Sequence, residues 1–121
     1  VKPGKEMDAL VARKVMGWKL KETFNGGRAV EIWEGDPKAR WGRIIQGFQP
    51  SQRIPDAWEI VEKLYSEKKW GINVRSDHVN KGWIIDSYKL DLKGQFEVFA
   101  KTAPMAICLA GLKIVGIENG K

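Results

Sequence analysis

Residues Thr102 to Gly116 read TAPMAICLAGLKIVG, and this stretch decides the fold. Pro104 suits the first turn of a helix with Thr102 as its cap. The spacing then predicts a helix from Ala103 to Val115. Its apolar residues point to nearly every side, broken only by Lys113. A helix apolar all round has to be covered on two sides. It either lies between a sheet and another element or packs on its counterpart in a second copy. Ala106, Ala110 and Gly111 are small enough to let another helix approach closely. The apolar run is too short and too interrupted for a bilayer span, which needs roughly 18 apolar residues.

Working outward, the rest of the chain supplies the cover. From Glu6 to Met16, Met7, Leu10, Val11 and Val15 recur at helical spacing, and Gly17 is a natural stop. Trp18 to Phe24 alternates like a half-buried strand. Asn25-Gly26-Gly27 is a turn signal, so Arg28 to Trp33 is the returning arm of a hairpin. Gly35 to Arg43 is a polar loop, and Ile44 to Phe48 is a short strand or an ordered loop. In a second helix, Ile54, Ala57, Trp58, Val61, Leu64 and Tyr65 form an amphipathic stripe that places Trp58 in the core. Glu59 and Lys63 suit an outward i,i+4 pair. Ser51 is a good N-cap and Pro55 prefers a first turn; a 3₁₀ turn over Ser51 to Ile54 reconciles them. Three strands follow, Gly71 to Ser76, Trp83 to Leu90 and Gln95 to Lys101, with turns at Asp77 to Gly82 and Lys93-Gly94. Links this short make an antiparallel meander.

The expected fold is therefore α/β of the α+β type: one domain over residues 1–121, a three-layer α–β–α sandwich with a largely antiparallel sheet. A homodimer or higher oligomer through apolar helical surface is the expected assembly. The 121 residues carry a net charge of +6, which favours an anionic partner. Cys108 is the lone cysteine, so no disulfide framework or cysteine zinc site is expected, and a reducing, cytoplasmic setting follows. The segment VKPGKEMDAL has no apolar core of a secretory leader.

Three blocks carry a resemblance: MDALVARKVMGW (Met7 to Trp18), QPSQRIPDAWEIVEKL (Gln49 to Leu64) and TAPMAICLAGLKIVG. In order and spacing they resemble the signature blocks of the phage ABA-sandwich domain family, over about a third of the chain. The chain departs from that pattern at Arg53 and Pro55, where Asp and a small residue are usual. The resemblance implies a phage origin and an α–β–α layered fold, and no catalytic residue set. It also implies kinship with small phage accessory factors, including ones that blunt nucleotide-signalling defences of the host.

Catalysis has little to work with. Cys108 lies in the most apolar helix, where a thiol is an inert core group, and His78 lies in a polar turn. Glu31, Glu34 and Asp36 match no metal or acid–base spacing, and no phosphate loop is present. No cofactor is expected. Binding is better supplied. Nucleotide bases want flat partners, and their phosphates want guanidinium groups and a helix start. Trp33 and Trp41 are the flat groups. Arg28, Arg40, Arg43 and Arg53, with Lys38, are the cations. Ser51 opens the second helix.

The expectation is one recess in which Trp33 or Trp41 stacks on adenine. Arg40, Arg43 and the helix start at Ser51 hold a diphosphate, and Glu31 or Glu34 accepts from ribose hydroxyls. The expected function is non-enzymatic sequestration of a small nucleotide signal. ADP-ribose-derived molecules such as cyclic ADP-ribose isomers come first, cyclic dinucleotides second. Nucleic acid is the less favoured partner, because no helix carries a continuous cationic face. A metal-dependent phosphodiesterase is the third reading.

Overall fold

The computed structural model describes residues 2–90 and 95–118. The elements run α1 (Lys5–Lys14), β1 (Lys19–Asn25), β2 (Arg28–Glu34), two 3₁₀ turns (Ala39–Trp41 and Ile45–Gly47), α2 (Ile54–Lys68), β3 (Trp70–Asp77), β4 (Gly82–Lys89), β5 (Gln95–Ala100) and α3 (Ala103–Glu118). This is an α+β sandwich of helices and antiparallel sheets, as the sequence indicates. The strands divide into two sheets, a β1-β2 hairpin and a β3-β4-β5 meander. The expected turn at Lys93-Gly94 lies outside the described residues.

Helix α3 resolves the choice posed by its own composition. It packs on α2, on β4 and β5, and on α1, so its cover comes from the same chain. Ala106, Ile107, Cys108, Ala110 and Ile114 are all buried. At Gly111 a Cβ would meet Ile60 Cγ2 at 3.1 Å and Val15 Cγ2 at 3.4 Å. The missing side chain is what lets α3 approach α2 and the end of α1 this closely.

In the meander, Ile72, Val74, Ile85, Val98 and Ala100 turn one face to the helices. On the opposite face Arg75 spans all three strands. Its Nε donates to Asp86 Oδ2 at 2.8 Å and its Nη2 to Glu97 Oε2 at 3.0 Å. Alternation with period 2 puts these polar partners on the side away from the core.

The hairpin closes at Gly26-Gly27, with φ of 63° and 81°. Two successive positive φ angles define a two-residue turn whose twist matches the strands, and glycine takes it without steric cost. The register pairs Leu20 with Trp33, Lys21 with Ile32, and Thr23 with Val30. Trp33 and Leu20 therefore share one face, and Val30, Ile32 and Thr23 share the other.

The second helix starts at Ile54, with Pro55 in its first turn. Ser51 sits in the preceding turn, closed by Gln52 and Arg53 N–H groups donating to the Gln49 carbonyl at 3.0 and 2.9 Å. It is thus not the cap of α2, whose N-cap position is Arg53. Two expectations about α2 are corrected. Trp58 is 47% exposed, because the buried line runs through Ala57, Ile60, Val61 and Leu64 instead. Lys63 pairs with Glu67 at 2.9 Å, while Glu59 turns inward to Arg43.

A candidate ligand recess beside the hairpin

Between β2 and α2 the loop is tied by one guanidinium. Arg43 Nε donates to Asp36 Oδ2 at 2.7 Å and Nη2 to Asp36 Oδ1 at 2.6 Å. Nη1 reaches Glu59 Oε2 at 2.7 Å, and Nη2 reaches Glu59 Oε1 at 3.0 Å. Asp56 Oδ1 lies 3.7 Å from Nη1. The guanidinium carbon lies 4.9 Å from the Phe48 ring centroid and 5.7 Å from that of Trp18. Burial penalises the charged form of Arg43, but the Glu59 and Asp36 hydrogen bonds and charges outweigh this and hold it protonated above its ordinary range. Burial would raise the Glu59 carboxyl; the hydrogen bonds and charges of Arg43, then Lys38, hold it below the usual carboxylate range. Asp56 also accepts from the Gln49 N–H at 2.8 Å.

This knot corrects the expected phosphate site. Four of the five N–H groups of Arg43 are spent on Asp36 and Glu59, and Nη1 also faces Asp56 at 3.7 Å, so the guanidinium has no fork to offer a diphosphate. The first turn of α2 holds Asp56 and the next turn Glu59, and these repel an anion where the bare helix start would attract one. Ser51 is also withdrawn: it is buried, its N–H donates to Asp8 Oδ1 at 2.8 Å, and its Oγ accepts from the Gly4 N–H at 2.9 Å. The serine fastens α1 to the loop. Burial pushes the Asp8 carboxyl up, partly opposed by the backbone and side-chain hydrogen bonds from Ser51. Ser51→Ala is expected to destabilise the fold by about 1–2 kcal/mol in chemical denaturation, since it strips the acceptor from Gly4. Nucleotide affinity should stay unchanged.

The two tryptophans separate. Trp33 is 4% exposed and belongs to the core with Trp18 and Phe48, so it is no open stacking wall. Trp41 is 81% exposed. It ends the Ala39–Trp41 turn, where Gly42 follows at φ 94°. A recess of about 620 Å³ lies beside it, lined by Thr23, Phe24, Val30, Ile32, Ala39 to Gly42 and Ile44. The Arg40 guanidinium lies 5.7 Å from the Trp41 ring centroid and makes no ion pair among the described residues. Arg28 is exposed at the hairpin turn, paired in register with Asn25. By strand alternation it shares the face of Val30 and Ile32. Arg53 is exposed in front of α2 and lines neither hairpin recess.

A second recess, of about 380 Å³, lies on the other hairpin face, between α1 and the loop from Ile45 to Gln52, with Trp33 and Phe48 at its base. The residues expected to converge on one recess are thus divided: Arg40 and Trp41 line the first, Trp33 the second. The glutamines around the second recess escaped sequence reading, because amides scattered through a polar loop carry no spacing signal. Cys108 is fully buried, and burial, then the Asp8 charge, pushes its thiol up.

The model of the family described as phage ABA sandwich domain matches residues 9–112. A solved structure, the 2.0 Å crystal structure of a phage protein from Bacillus cereus ATCC 14579, is similar with a TM-score of 0.61 and 29% identity. That match covers 93% of this chain and 90% of the other. No curated protein matches.

Proposed function

This chain belongs to the phage ABA sandwich domain family, and from that premise we propose that it captures a small anionic nucleotide signal without turning it over. By holding the signal it blocks a host defence that depends on it. The observation that carries this reading is Trp41, an indole held 81% exposed by a glycine-terminated turn beside a recess. Exposed aromatic surface next to a concave, mixed-polarity site marks a place where something binds. Trp41 offers the base a flat face. Arg40, without an ion pair among the described residues, offers the phosphate a bidentate fork, and Arg28 adds charge on the same hairpin face. The net charge of +6 draws anions toward the molecule. An ADP-ribose-derived signal such as a cyclic ADP-ribose isomer combines the base, ribose and diphosphate that such a recess would take.

The test incubates purified protein with a panel of nucleotide signals, removes the free pool, denatures the protein and assays what is released. Intact ligand on release supports capture. An altered ligand means an enzyme, and retention of oligonucleotides alone means a nucleic-acid-binding accessory protein. Trp41→Ala is expected to weaken capture by about 1–3 kcal/mol, the worth of one base–aromatic stack. Its thermal midpoint should hardly move, because the side chain lies in water. Unchanged affinity in Trp41→Ala removes the recess from the mechanism. Phe24 is 74% exposed on the same hairpin; that patch also suits a second copy of the chain, which light scattering at rising protein concentration reads directly.

A further inference from the structure

The second recess has a different chemistry. Its base is apolar: the Trp33 and Phe48 side chains, with Ala9 of α1 and Ile45 on its walls. Around it stand Gln46, Gln49 and Gln52, with Lys5 and Asp8 from α1. The Gln49 Nε2 donates to the Gln46 carbonyl at 2.7 Å, which leaves its Oε1 as an acceptor. The side-chain amides of Gln46 and Gln52 have no partner among the described residues. Asp8 is held by the Ser51 N–H at 2.8 Å, which fixes that side of the cleft.

An apolar base with unspent amides at its edge suits a flat, uncharged ring whose rim alternates donors and acceptors. Glutamine amides read a purine edge in pairs, one group donating and one accepting. The recess volume lies at the small end of the range for ligand sites, which fits a single base or nucleoside better than a dinucleotide. Lys5 and Asp8 offer one charge of each sign, so nothing here selects for an anion.

We infer that the cleft between α1 and the Ile45–Gln52 loop is a second binding site, which takes an uncharged nucleobase or nucleoside between the Trp33–Phe48 base and the amides of Gln46, Gln49 and Gln52. It lies on the hairpin face opposite the Trp41 recess, so the two sites are independent.

Adenosine is the probe, with indole as a flat ring lacking the alternating edge. Chemical shifts of the three glutamine side-chain amides are followed by NMR on the full chain. Adenosine is expected to move all three, and indole is expected to bind at least about fivefold more weakly, the scale of one net hydrogen bond. Ala9→Phe fills the cleft and should weaken adenosine by at least about tenfold. Gln52→Ala, an exposed change that leaves the fold intact, should weaken it by about fivefold. Trp41→Ala should leave adenosine in the cleft, whatever it does to phosphate-bearing ligands. Still amides at millimolar adenosine, equal binding of indole, or wild-type affinity in both Ala9→Phe and Gln52→Ala would each overturn the assignment.

Discussion

Arg43→Ala is expected to cost about 3–5 kcal/mol of stability at neutral pH, the scale for stripping one partner from a buried ion pair. The loss comes less from what Arg43 gives than from what it leaves. Asp36 and Asp56 are buried, and Glu59 lies mostly covered beside them. Without the guanidinium, three carboxylates share one poorly solvated corner in which, among the described residues, Lys38, 3.2 Å from Glu59, is the cation left to balance them. Arg43→Lys should fall between, since an ammonium lacks the planar fork that serves Asp36 and Glu59 at once. Domains of this size hold about 5–15 kcal/mol in total, so the alanine variant should show a large drop in urea midpoint.

The pH dependence carries a sign. Glu59 is held below its ordinary value of 4.5, so its stabilisation is fully present above that value and is lost as pH falls through its folded pKa. The gap between wild type and Arg43→Ala should therefore be widest near neutrality and shrink below about pH 4.5, as Glu59 takes up its proton. Asp8, raised by burial, works the other way: its contribution is fully present below its ordinary 3.8 and is lost as pH rises toward its folded value. Denaturation of both proteins from pH 3 to 7 reads the difference, in which Asp8 cancels. A variant that keeps its stability but loses nucleotide affinity would return Arg43 to the phosphate site.

What was legible in the sequence were features set by local chemistry. The density of apolar residues from Ala103 to Val115 fixes a covered helix, the Gly26-Gly27 pair fixes the hairpin turn, and alternation fixes the meander. What misled were features where two phases are both apolar. On α2, the stripe is wide enough that Ile54, Trp58 and Tyr65 fit a core line as well as Ala57, Ile60 and Leu64 do. Only packing against α3 chooses the second line. On β2, Ile32 and Trp33 are adjacent and point to opposite sides, so composition alone does not say which faces the core. The arginines misled for another reason. A guanidinium in a polar loop reads as free until its carboxylates are located, and Asp36 and Glu59, seven and sixteen residues from Arg43, meet it only after the loop folds back on α2.

Trp33→Ala should then behave as a core truncation and cost about 3–5 kcal/mol, while Trp58→Ala, half exposed, should cost well under half of that. The contrast tests the two corrected tryptophans together. Trp33 shares its core cluster with Trp18 and Phe48, whose rings lie 4.8 Å apart, and Phe48 also lies against the Arg43 guanidinium. Removing the indole loses its transfer energy and its packing in this cluster, and neighbours pinned by ion pairs do not collapse inward to recover it. Trp58 has water on one side already, so alanine there leaves no enclosed void. Urea denaturation of the two variants gives the ratio. Equal losses would mean that α2 carries Trp58 inward after all. A Trp33→Ala protein that folds as well as wild type would mean that β2 presents this indole to solvent and not to the core.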